Sequence, residues 1–295
     1  MENLGNDGGR LSRMAKKLSG ICGLTGDTGQ FVKCHIFPEA LTKHEDPGQP
    51  IFQAGEHRRP IKRMTSWYDP ALVTAEGEKI LAGYDDWAIK FLRDKSLVWS
   101  GWSGSSLRLK NLVHLGEGWN ARVIESQDWQ RLRLFLLSLL WRVAASKMPE
   151  FSEIVLPRED LERLREMVAS GKSTPEDFLP ATLVQLTTKG PRHNHTPLAG
   201  RKILEATGPM LEREVRFFRF FVEGLIIHFE RDVRLSGGLA ALGSMAVGFS
   251  PKLVVMTHPF EGSFQAKNLG LMLLETWENW PSFRPQIVRA IQTSK

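Results

Sequence analysis

Cysteine is scarce in this sequence: Cys22 and Cys34 are the only two in 295 residues. Two thiols cannot build the disulfide framework of a small secreted domain, and so low a count points to a reducing compartment. It also excludes a four-cysteine zinc site within one chain. Long hydrophobic runs are missing as well. The most apolar stretch, Trp129 to Ala145, is interrupted by Arg131, Arg133 and Arg142. Its uncharged centre falls short of the roughly 20 residues that a membrane span requires, so it reads as a buried helix. Residues Met1 to Gly9 are polar and glycine-rich with no apolar segment behind them, and no signal peptide is expected. No repeat is visible at solenoid or propeller periods. The resulting expectation is a cytoplasmic protein with no membrane partner.

What is present is the material of a large core. Nine Trp and 16 Phe supply more apolar surface than a disordered chain carries. The charge balance is 39 Lys+Arg against 33 Asp+Glu, a net +6. Spread over this length, that excess raises the prospect of a nucleic-acid partner without deciding it.

The texture changes along the chain. Residues 1–95 are rich in Gly, Pro and His with short apolar runs, and read as a small module. A Ser/Gly/Trp stretch, Ser96 to Ser106, marks a boundary of strands or loop, and residues 96–295 read as a larger α+β domain. Within it, Trp129, Leu132, Phe135, Leu136, Leu139, Leu140 and Val143 recur at helical spacing. Pro157 opens a second helix that Gly171 closes. A short third helix is expected at Ser173 to Asp177. Strands are expected at Ala181 to Lys189, Arg201 to Thr207, Glu214 to Asp232 and Lys252 to Thr257, with Gly224 as a bulge. A helix over Asn268 to Asn279 ends the pattern. His193 and His195 are spaced like metal ligands on one strand face, but read more simply as a polar turn between strands.

The residues that carry chemistry lie in the first module. They are Ile21-Cys22-Gly23-Leu24-Thr25-Gly26, then Lys33-Cys34-His35-Ile36-Phe37-Pro38, then Trp67-Tyr68-Asp69-Pro70. Val73-Thr74-Ala75-Glu76-Gly77-Glu78 and Tyr84-Asp85-Asp86 follow. This order resembles the HNH nucleases, a ββα-metal motif on a treble-clef scaffold. It looks most like a bacterial branch with Cys-x-x-Cys, Ser-His-Ile-Ile-Pro, and a second Cys-x-x-Cys-Glu. Phe135 to Arg142 also resembles the helix that follows in that branch.

The resemblance implies a metal-dependent endonuclease acting on DNA ahead of RNA, of a kind found in anti-phage defence and mobile elements. His35 matches the general base, since an imidazole titrating near neutrality can take a proton from water. Asp69 matches the position that orients that base or fixes its loop. Glu78 and Asp85 fall where ligands to a divalent metal (Mg²⁺, Mn²⁺ or Ni²⁺) would lie, the metal offsetting charge on the phosphate. Cys34, just before the base, favours softer metals. The basic run Arg58, Arg59, Lys62 and Arg63, with His57 beside it, would hold the phosphate backbone.

The chain departs from the family at the zinc positions. Cys22 is one thiolate of four, and Thr25, Thr74 and Gly77 stand where the others belong. A structural zinc is not expected. The module should instead be held by Phe31, Ile36, Phe37, Trp67, Tyr68, Ile80, Leu81, Tyr84 and Trp87. A second hypothesis follows: a catalytically inactive HNH-derived module that binds nucleic acid or protein, as adaptor or inhibitor. In either case the second domain would recognise substrate or partner.

Overall fold

The computed structural model describes residues 18–43, 48, 51–54, 61–104, 109, 112–204, 213–232 and 238–292. The chain is mixed α and β. In the first part, β1 (Ser19–Ile21) and β2 (Thr28–Gln30) form an antiparallel hairpin. They are followed by β3 (Cys34–His35), the single turn α1 (Glu39–Thr42), β4 (Ile51–Ala54), β5 (Ile61–Arg63) and β6 (Tyr68–Asp69). The long helix α2 (Ala75–Asp94) comes next.

The second part runs β7 (Val113–Gly116), β8 (Trp119–Glu125), α3 (Trp129–Ala145), α4 (Arg158–Ser170), β9 (Ala181–Leu186) and β10 (His193–His195). Then come β11 (Leu198–Leu204), β12 (Arg213–Val222), β13 (Leu225–Glu230), α5 (Leu239–Leu242), β14 (Lys252–His258), α6 (Phe264–Asn279) and α7 (Arg284–Gln292).

A seven-stranded sheet, in the order β11-β12-β13-β9-β14-β8-β7, is the central layer. Its neighbours are antiparallel except β14 beside β9. Alternation along the strands divides the core. Phe218, Phe220, Val222, Leu225, Ile227 and Phe229 face one hydrophobic cluster, while Phe221 and Ile226 face another. The first cluster packs the sheet against α3, with α2 and α4 around it, and joins residues on both sides of Lys95. The second packs Trp99, Phe221 and Phe260 against Leu269 and Met272 of α6.

Helix α3 is buried from Leu132 through Val143, on all its faces. A helix enclosed in this way buries its polar side chains too, and each must find a partner inside. No helix among the described residues is long and apolar enough to cross a membrane.

Several expectations are corrected. Ser173 to Asp177 is not helical, because the buried Arg133 guanidinium takes the carbonyls of Ser173, Pro175 and Phe178. Those carbonyls are therefore unavailable to a helix ladder. Gly224 is not a bulge: Glu223 and Gly224 both have positive φ (48° and 84°) and make the two-residue turn between β12 and β13. His193 and His195 lie on a strand rather than in a turn, with β10 parallel to β4. Of the strands or loop expected over Ser96 to Ser106, Trp99 to Gly101 takes the form of a 3₁₀ turn. Ile36, Phe37, Trp67 and Leu81 are buried as expected, but Tyr68 is exposed, with the Lys33 ammonium 4.4 Å above its ring. Gly171 closes α4 in the left-handed region, as its position after the last periodic residue requires.

Candidate functional site

The turn after β1 and the start of α2 meet at one sulfur. Cys22 Sγ accepts from the Thr25 amide (3.5 Å) and the Thr74 amide (3.4 Å). A Cβ on Gly77 would lie 2.7 Å from the same atom. Thr25, and Thr74 and Gly77 from some 50 residues further along, thus converge on the Cys22 thiol. Burial alone would raise that thiol, but hydrogen bonds from Thr25 and Thr74 bring it down to about 7. This donor set does not fit a structural zinc, which takes four N, S or carboxylate ligands.

Beside it, β3 and β6 form a two-residue ladder, Cys34 opposite Asp69 and His35 opposite Tyr68. Asp69 uses both oxygens locally. Oδ1 accepts from the Ala71 amide at 2.9 Å, and Oδ2 accepts from Ser146 Oγ at 2.8 Å, just past α3. It makes no hydrogen bond to His35, so its work is to fix the loop. The His35 side chain is 21% exposed, its Nε2 is 3.7 Å from Glu39 Oε2, and that nitrogen has no hydrogen-bond partner. Burial, helped by Lys33, lowers its affinity for a proton against the pull of Glu39 and Asp85. The imidazole is neutral at neutral pH.

Glu78 and Asp85 lie seven residues apart on one face of α2, and both address a buried cation. That cation is Arg142 of α3. Its Nη1 donates to Asp85 Oδ2 (2.9 Å) and to the His35 carbonyl (3.1 Å), and its Nη2 donates to Asp85 Oδ1 (2.6 Å) and Ser138 Oγ (3.2 Å). The Arg142 side chain is 1% exposed, against 16% for Asp85. Burial opposes its charge, but the charge and hydrogen bonds of Asp85 more than offset this, so it stays protonated.

The Cys34 thiol points to the His35 carbonyl oxygen at 3.8 Å, and burial pushes it far above the usual range despite Arg142. Burial also raises the Glu78 carboxyl, against the influence of the nearby Cys34 and Arg142, and its Oε2 has no partner. Among the described residues no group of three or more His, Cys, Asp or Glu is placed to hold a metal ion. The site does not fit Mg²⁺, Mn²⁺ or Ni²⁺, because both oxygens of Asp85 are already taken by a fixed positive charge.

Of the basic run, Arg58, Arg59 and His57 lie outside the described residues. Lys62 and Arg63 are on β5, paired with Phe52 and Ile51 of β4, and Lys62 is exposed. The histidine pair on β10 is sealed by α6. His193 Nδ1 bonds the Pro191 carbonyl and its Nε2 meets the Gln265 amide at 2.8 Å. His195 Nδ1 bonds the Thr196 carbonyl and its Nε2 meets the Asn268 amide at 2.7 Å. With both ring nitrogens of each histidine engaged, the pair is a packed network rather than a metal site.

Arg142 is the residue that sequence reasoning missed. Its signal was there: an arginine on a helix too apolar to have a solvent face must have a buried partner. No family model, curated protein or solved structure matches this chain.

Proposed function

We propose that this protein is an HNH-derived nucleic-acid-binding protein, in which an internal guanidinium has taken over the place of the nuclease metal. The observation that carries this reading is the bidentate grip of Arg142 on Asp85 inside the acidic pocket of α2. A cation that cannot leave supplies the charge balance there, and a divalent ion would have to displace it against direct repulsion. The convergence of Cys22, Thr25, Thr74 and Gly77 supports the ancestry, because these are the four positions of the family's zinc quartet. The ladder of His35 against Tyr68 leading into α2 supports it too, in the order strand, strand, helix of a ββα module.

The partner proposed is nucleic acid, DNA ahead of RNA. It would be held on phosphate by the run from Arg58 to Arg63 and by the excess of basic residues over the whole chain. Retention of a labelled duplex, measured by fluorescence anisotropy against salt, tests this. K62Q/R63Q should weaken binding and flatten the salt slope by about two units. Binding unchanged in that variant removes the basic run from the interface.

One observation favours a second reading, hydrolysis with His35 as base. Its Nε2 has no partner, and although that atom is itself shut off from solvent, the side chain is 21% exposed, so a turn of the ring would let it take a proton from water. Hydroxide would then attack phosphorus, the P–O ester bond would break, and the leaving oxygen would collect a proton from solvent. His35→Ala separates the readings: it abolishes cleavage under the second and leaves duplex binding intact under the first.

A further inference from the structure

A second cationic feature lies on the α6 side of the large sheet. Phe218 and Phe220 of β12 enter the first cluster, so Phe217, Arg219 and Phe221 project to the opposite face. Gly200 of the edge strand β11 sits opposite Phe217, and a Cβ there would lie 2.6 Å from the Phe217 ring. The ring therefore lies flat over a glycine on the sheet edge, and the neighbouring arginine packs on this platform. The Arg219 guanidinium carbon is 5.3 Å from the Phe217 ring centre and 4.0 Å from that of Phe264.

Arg219 has no carboxylate. Its Nε donates to His228 Nε2 at 2.8 Å, and its two Nη groups make no hydrogen bond among the described residues. Burial with no opposing negative charge pulls the guanidinium down to about 10. His228 offers no compensation, since burial, with Arg219 and Lys202 adding to it, holds that ring neutral down to about 3. Lys202, on the same face, is paired with Glu230 at 2.5 Å. A partly buried arginine without a counter-ion is costly to keep, and an anion from outside would match it.

Phe264 adds a different chemistry. It is the first residue of α6, its side chain is half exposed (51%), and Arg219 covers only one side of its ring. The positive end of the α6 dipole adds to the Arg219 charge at the same place. A simple carboxylate would use the guanidinium and leave the ring idle. A duplex would offer phosphates, but its bases are already stacked. An unpaired nucleotide offers both a phosphate and a free base face.

We infer that Arg219 and Phe264 form a site for single-stranded nucleic acid, with the Nη groups on a backbone phosphate and a base stacked on the open side of Phe264. The inference rests on the reading of this chain as a nucleic-acid binder, but on residues separate from the basic run at β5. The test is fluorescence anisotropy with a labelled oligothymidylate of about 20 nucleotides and a duplex of equal length. R219Q and F264A should each weaken oligothymidylate binding about tenfold, with F264W close to native. F264A carries the test if R219Q fails to fold, since Phe264 is half exposed. Oligothymidylate binding within twofold of native in F264A and in a folded R219Q overturns the site. Loss of duplex binding in K62Q/R63Q, with native oligothymidylate binding in F264A and in a folded R219Q, would leave the β5 interface standing and this site refuted. Loss of oligothymidylate binding in F264A, with K62Q/R63Q neutral, would establish this site and refute the β5 interface.

Discussion

Arg142 and Asp85 meet as a two-pronged ion pair, Nη2 to Oδ1 at 2.6 Å and Nη1 to Oδ2 at 2.9 Å, across 57 residues of sequence. The pair ties α3 to α2, and through the His35 carbonyl it also holds the strand that carries the candidate base. Charge, scaffold and candidate chemistry therefore depend on one guanidinium.

Breaking this pair should be expensive. D85A leaves Arg142 buried with only a carbonyl and a hydroxyl, and should cost about 3–5 kcal/mol in urea unfolding. R142M should be of similar size, and the double variant D85A/R142M should lose clearly less than the sum. A loss below about 0.5 kcal/mol in D85A would mean that the pair is ornamental.

Ancestry of the Cys22 corner can be tested by restoring ligands. T25C/T74C/G77C should bind one zinc per chain, read by a colorimetric metal-release assay, whereas the native chain should bind none there. G77A alone should cost about 1–3 kcal/mol, because the new methyl meets the Cys22 sulfur. A triple variant that folds and takes no zinc would contradict the proposed descent.

Acid should loosen the β10–α6 seam. Burial lowers His193 to about 4, offset in part by the Pro191 carbonyl bond, with His195 lowering it further. The unfolded histidine binds its proton near 6.5, so between those values the unfolded state holds more protons. Stability is therefore full above about pH 6.5 and falls as pH drops toward 4, by roughly 2–4 kcal/mol from this residue. H193Q should be less stable at pH 7 but show a shallower fall. Parallel curves for the two proteins would remove His193 from the acid response.

The β12–β13 turn makes another sharp site. Gly224 has φ +84°, and a Cβ there would run into the Trp99 indole. G224A should cost about 2 kcal/mol or more in thermal or urea unfolding. A variant as stable as the native protein would show that the turn relaxes freely.

Local pattern carried much of the fold. The spacing from Trp129 to Val143 and the Pro157 and Gly171 signals mark α3 and α4, because those decisions are made within one helix. The non-helical segment after Gly171 was not legible, since its conformation is set by Arg133, some 40 residues upstream. The turn at Glu223 was hidden for a related reason: glutamate rarely takes positive φ, and it is held there by Arg192, by Ser100 and by the Trp99 amide on its carbonyl. At the candidate site, His35, Glu78 and Asp85 could be read from a motif. Arg142 could not be read as their counter-ion, because motif spacing records chain order and not which distant helix fills the pocket.

Plasmid relaxation by the native chain is the most direct test of the central claim. Supercoiled DNA would be incubated with the protein and Mg²⁺, Mn²⁺ or Ni²⁺ in turn, beside His35→Ala, with retention followed on the same gels. The account predicts retarded but uncut plasmid with every metal, identical for both proteins. Metal-dependent nicking by the native chain that His35→Ala abolishes would contradict it.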